Sequence, residues 1–143
     1  MIVSHILKDK GSDVFTVSKE SSIAEISSLL AEKRIGAIVV TDQNGAVEGI
    51  ISERDIVRGL SQFGVSVLEK SADDLMTKNV ITRGLSAHID ELMQEMTNSR
   101  IRHLPIVDDE KLVGVISIGD VVKNRVGELE SEGNMLRDYI ATG

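Results

Sequence analysis

The sequence predicts an α/β protein: two tandem β-α-β-β-α repeats packed with pseudo-two-fold symmetry in an α+β, sandwich-like arrangement, followed by a helical tail. Three observations predict it. First, the chain matches itself at a shift of 66 residues, with Val14, Thr16, Ile23, Glu25, Arg34, Ile35 and Asp42 falling on Val80, Thr82, Ile89, Glu91, Arg100, Ile101 and Asp108. Once one residue is dropped in the second copy's turn, Gly49, Ile51, Ser52, Asp55 and Val57 fall on Gly114, Ile116, Ser117, Asp120 and Val122, and a fixed register of this kind marks a duplicated structural unit. Second, helical spacing and β-branched runs alternate in the same order in both copies. Third, aromatic residues make up only 2% of the chain, so Ile, Val, Leu and Met must form the core, and β-branched side chains suit a pleated surface.

Each copy opens with a short extended stretch, Val14 to Val17 or Val80 to Thr82. A helix follows. Ser22-Ile23-Ala24-Glu25 carries a capping-box pattern, and apolar residues recur at Ile23, Ile26 and Leu30, and at Ile89, Leu92, Met93 and Met96. The β-branched run comes next, Ala37 to Val40 or Leu104 to Val107, then a polar turn, Asp42-Gln43-Asn44-Gly45 or Asp108-Asp109-Glu110-Lys111. Asn-Gly predicts a hairpin because both residues tolerate positive φ. A second strand returns to Ile51 or Ile116, and a second helix begins near Ser52 or Ser117. About 60 residues per copy is marginal for independent stability, so the copies are expected to complete one another's core. The expected organisation is 1–64 for the first repeat with its N-terminal segment, 65–125 for the linker and second repeat, and 126–143 for a helical tail that Gly127 and Gly133 weaken.

Composition narrows the function. A formal net charge of −7 and the shortage of aromatic residues argue against a nucleic-acid partner, which calls for a basic field and stacking platforms. There is no cysteine to form a disulfide or a thiolate metal site. No apolar run approaches a membrane span, and the first nine residues are too short an apolar stretch for a signal peptide. A cytoplasmic protein is the default expectation. Catalysis is not expected, since there is no Gly-x-x-x-x-Gly-Lys-Ser/Thr loop, no Gly-x-Ser-x-Gly elbow and no His-Glu-x-x-His. His5 and His88 lack metal-ligand spacing.

The candidate site is the pair Ser52-Glu53-Arg54-Asp55 and Ser117-Ile118-Gly119-Asp120, each after Gly-apolar-apolar at a strand-to-helix turn. Two readings stand. Ser-x-x-Asp is a sound helix cap, the serine accepting an early backbone N–H and the aspartate suiting the helix dipole. The same turn offers N–H groups and a hydroxyl to an anion, with a carboxylate one turn on to accept from ribose hydroxyls.

The element order, with Gly49-Ile50-Ile51-Ser52-Glu53-Arg54-Asp55, Arg102-His103-Leu104-Pro105 and Gly114-Val115-Ile116-Ser117-Ile118-Gly119-Asp120, resembles the CBS-domain family, whose paired repeats form a Bateman module. The resemblance runs from about residue 3 to residue 125. It implies a regulatory, non-catalytic module holding an adenine nucleotide in two clefts between the repeats: AMP foremost, ATP, ADP or NAD(H) as further ligands, and S-adenosylmethionine as an alternative. It carries phosphate contact onto Ser52 and Ser117 and ribose contact onto Asp55 and Asp120. It carries base contact onto Phe15, Ile35, Ile81 and Ile101, and further phosphate contact onto Arg102, His103 and Arg54. Gly36, Val115 and Gly119 complete the expected contacts, and Met76 is expected to touch a base from the linker. Arg102 and His103 lie in the second repeat and point to the Asp120 cleft as the phosphate site. The resemblance also implies a homodimer, with the C-terminal helix as a candidate interface, and a separate regulated protein. The rival is an interaction scaffold with no ligand, in which the four turn residues act only as caps.

Overall fold

The computed structural model describes residues 1–10 and 14–142; Gly143, the end of the expected tail, lies outside them. The order is α1 (Val3–Lys10), β1 (Thr16–Val17), α2 (Ile23–Lys33), β2 (Ala37–Thr41), β3 (Val47–Ser52), α3 (Glu53–Phe63), a 3₁₀ segment (Gly64–Glu69), α4 (Ala72–Leu75), α5 (Ile89–Ser99), β4 (His103–Asp108), β5 (Lys111–Ser117) and α6 (Ile118–Thr142). One sheet has the order β1-β2-β3 and the other is the hairpin β4-β5. The first strand expected in copy two is reduced to a single parallel bridge, Arg83 to Ile106, standing where Val17 pairs with Val40 in copy one. Both hairpins shift register at the same place, between Val40 and Thr41 and between Ile106 and Val107.

The turns differ as the dropped residue requires. In copy one Asp42 Oδ1 accepts from Asn44 N–H at 2.8 Å and Ala46 N–H at 2.9 Å, and only Gly45, at φ 84°, takes positive φ. The expectation that Asn44 shares it is corrected. In copy two the loop shrinks to Asp109 and Glu110, both at positive φ (52° and 64°), the twist a two-residue hairpin needs. Ser22 accepts from Glu25 N–H at 3.2 Å; reciprocal capping boxes occur at Ser52 and Ser117 instead.

Each repeat has its own core, completed by a segment that precedes the other repeat. Val3, Ile6 and Leu7 of α1 join Ile89, Leu92, Leu104, Ile106 and Ile116, while Val67 and Ala72 of the connector join Ile23, Ile26, Ile38, Val40 and Ile51. The backbone repeats this exchange: Ile89 N–H donates to Met1 O (3.0 Å) and Val3 N–H to Ala87 O (2.9 Å), as Ile23 N–H donates to Lys70 O (2.9 Å) and Ala72 N–H to Ser21 O (2.8 Å). The two copies therefore close around a shared central space. Among the described residues, no helix is long and apolar enough to cross a membrane.

Candidate functional site

The two turns have matching geometry. At the start of α3, Ser52 N–H donates to Asp55 Oδ2 at 2.8 Å and Asp55 N–H to Ser52 Oγ at 3.4 Å. At the start of α6, Ser117 N–H donates to Asp120 Oδ2 at 2.9 Å and Asp120 N–H to Ser117 Oγ at 3.1 Å. Capping thus uses one carboxylate oxygen of each aspartate. The nearest cation to Asp55 Oδ1 is Arg58 at 3.9 Å, on a largely exposed side chain.

Each turn faces a cavity whose far wall belongs to the other repeat. The first, about 410 Å³, brings Ser52, Glu53, Arg54, Asp55 and Arg58 of copy one against Asn79, Val80, Ile81, Arg100, Ile101 and Arg102 of copy two. The second, about 420 Å³, brings Val115 and Ser117 of copy two against Lys10, Val14, Phe15, Arg34 and Ile35. Both volumes lie within the range of small-ligand sites. Gly36, Ala37 and His103 line both cavities and form the wall between them. A Cβ on Gly36 would come within 3.3 Å of His103 Cε1, so the glycine gives the imidazole its room. Arg34 and Arg100 reach their cavities from the left-handed residue that ends α2 and α5, each at φ 55°, an uncommon backbone state outside glycine.

Charge separates the clefts. Lys10 Nζ bonds Val115 O at 2.8 Å and Asp120 Oδ2 at 2.5 Å. Burial alone pushes the Asp120 carboxyl up, but the Lys10 ammonium and the Ser117 donors outweigh it and hold the group below its ordinary value. His103 is pushed below its ordinary value, first by burial and then by Lys10, against the pull of Glu53 and Asp120; its imidazole is neutral at pH 7.

Set against the sequence-based expectations, the residues sort across the repeats. Ile81, Ile101, Arg102 and Arg54 gather round Asp55, and Phe15, Ile35 and Val115 gather beside Ser117. Arg102 was expected beside Asp120 and lines the Asp55 cavity instead, because each cleft takes its turn from one repeat and its wall from the other. Met76 lines neither cavity; its sulfur would meet a Cβ on Gly49 at 2.5 Å, and it packs against the first core. Gly119 lies in the first turn of α6, with Ser117 Oγ 3.5 Å from the place of its missing Cβ, outside the cavity linings. Sequence reasoning missed Lys10, Arg58 and Asn79 as site residues. It paired Arg34 with Arg100 by register, and that was the signal for two equivalent cleft arginines.

The model of the CBS domain matches residues 3–62 and 72–127. The chain belongs to the CBS-domain family. Its fold is that of CBS pairs of known structure. The CBS-domain protein ATU1752 from Agrobacterium tumefaciens is 44% identical with a TM-score of 0.84, covering 87% of this chain and 99% of that one. The CBS pair of protein MJ0100, solved with 5-methylthioadenosine and S-adenosyl-L-methionine, is 28% identical with a TM-score of 0.80, covering 90% and 98%. The CBS protein PAE2072 from Pyrobaculum aerophilum, complexed with AMP, is 27% identical with a TM-score of 0.75, covering 84% and 89%.

Proposed function

We propose that this CBS pair is a non-catalytic regulatory module that senses adenine nucleotides, AMP foremost and ATP or NAD(H) as further ligands, in the two clefts between its repeats. The observation that carries the reading is Asp55. One oxygen caps α3, the other has Arg58 at 3.9 Å, and the residue lines a cavity with Ile81 and Ile101 on its opposite wall, which suits a ribose beneath an apolar-flanked base. Arg54, Arg58, Arg100 and Arg102 against Glu53 and Asp55 leave the same cavity net positive, favouring a phosphate over the sulfonium of S-adenosylmethionine. The proteins solved with AMP and with S-adenosylmethionine support an adenosyl ligand. A homodimer and a separate regulated protein belong to the same proposal, as does a cytoplasmic setting.

Thermal-shift scans and calorimetric titrations with AMP, ATP, NAD(H) and S-adenosylmethionine test it. A ligand specific for the folded state stabilises it by about 2.7 kcal/mol at one hundred times Kd. Asp55→Ala is expected to weaken AMP at the first cleft at least about tenfold, while removal of its cap lowers stability by only about 1 kcal/mol. No shift with any of the four at millimolar concentration gives the module to the scaffold reading.

A further inference from the structure

The two clefts are built alike but differ at the carboxylate. Asp55 lines its cavity directly. Asp120 does not: Val115, Ser117 and Lys10 line the second cavity, and the Lys10 ammonium spans Val115 O and Asp120 Oδ2. The exchanged segments show what stands opposite. Leu7 covers Gly114 as Met76 covers Gly49, and counting on from that pair brings Lys10 to Asn79, a neutral residue in the first cavity's lining. A cation therefore stands over the carboxylate in one cleft, and an amide lines the other.

We propose that Lys10 is a specificity-determining residue that reserves the second cleft for phosphorylated nucleotides and turns away neutral nucleosides, an inference that rests on the nucleotide reading above. Lys10 lines the cavity where Asp120 does not, so a ribose hydroxyl entering from the cavity reaches that carboxylate only where the ammonium gives way. A neutral nucleoside offers that ammonium nothing in exchange, whereas a phosphate supplies an oxyanion at least as good as the carboxylate it leaves. The Lys10 side chain is about 39% exposed, so it has solvent-side room to swing from Asp120 onto the phosphate. Arg34 lines the same cavity and adds a second cation for that phosphate. The first cleft has no such lock on Asp55 and accepts adenosine as well as AMP.

Isothermal titration with adenosine, AMP and ATP reads this out in Asp55→Ala protein, where the first cleft is weakened and the higher-affinity event reports the second. AMP and ATP are expected to bind, and adenosine at least about tenfold more weakly. Adding Lys10→Asn should bring adenosine and AMP to within about threefold of each other, adenosine gaining and AMP losing, while Lys10→Arg keeps the discrimination. Equal binding of adenosine and AMP in the Asp55→Ala protein overturns the proposal, as does an unchanged ratio in Lys10→Asn. Nucleotides that bind the unsubstituted chain but not Asp55→Ala overturn it while leaving the first cleft's assignment standing. Nucleotides that bind none of these proteins sink the nucleotide reading, and the role of Lys10 with it.

Discussion

Among the described residues, His103 is the one titratable side chain that lines both cavities, and its protonation state follows from its surroundings. Burial disfavours the imidazolium, Lys10 and Arg102 add repulsion, and Glu53 and Asp120 only partly offset them. The folded-state value therefore lies below the ordinary 6.5. As pH falls through 6.5 the unfolded chain takes up the proton first, so stability is full above that value, declines beneath it, and levels off below the folded-state value. Urea denaturation between pH 7.5 and pH 5 should show this loss, and His103→Asn should flatten it; an equal slope in the variant would remove the assignment. Asp120 acts lower: its depressed value contributes stability above about pH 3.8 that is lost as pH falls through the folded-state value. The paired turn residues were readable in the sequence because their geometry is local, three residues apart and duplicated. Which residues face them was not. Arg102, Ile81 and Ile101 reach Asp55 only through the crossing of repeats, and Lys10 meets Asp120 across 110 positions, a contact set by packing rather than by spacing.

At the level of elements, the exchange of α1 and α4 between the halves makes the pair one cooperative body. Its tightest points are the two β-strand glycines, where a Cβ at Gly114 would meet Leu7 Cδ2 at 2.5 Å and one at Gly49 would meet Met76 Sδ at 2.5 Å. Gly114→Ala must push α1 off β5 or force Leu7 from its rotamer, and overpacking of this kind costs about 1–3 kcal/mol. Equilibrium denaturation is expected to show a single transition shifted by that amount. A transition that splits in two would mean that the halves unfold independently. The helix-strand order was plain from periodicity. Helix α1 was overlooked, although Val3, Ile6, Leu7 and Lys10 carry helical spacing; its counterpart around α4 stands 69 positions on rather than 66, with different residues at Val3/Ala72, Leu7/Met76 and Lys10/Asn79, so the repeat register did not draw attention to it. Gly127 and Gly133 were expected to weaken the tail, yet α6 runs unbroken through both. No neighbouring atom lies within 4 Å of where their side chains would be, so they cost the helix about 1 kcal/mol each without exposing it to a clash.

For the whole molecule, the surface left over argues for a second copy. Val57, Leu60 and Phe63 on α3 and Ile118, Val122, Val126, Leu129, Leu136 and Ile140 on α6 are all exposed, and Val57 and Val122 are repeat equivalents. Two helices that open at equivalent turns thus carry apolar side chains on the outside, more than isolated surface hydrophobics account for. A homodimer over α3 and α6 would cover both stretches within the ~1,200–2,000 Å² of a stable interface. The net charge of −7 opposes the approach of two copies, so association should strengthen as salt screens the repulsion, the reverse of an interface held by ion pairs. Light scattering coupled to size exclusion is expected to give twice the 15.5 kDa chain mass at micromolar concentration, with tighter association at 0.5 M salt than at 0.05 M. The double variant Val57→Glu, Val122→Glu should run at the chain mass with an unchanged far-ultraviolet spectrum, since both side chains lie outside the two cores. A chain-mass peak for the unsubstituted protein at both salt concentrations would remove the dimer.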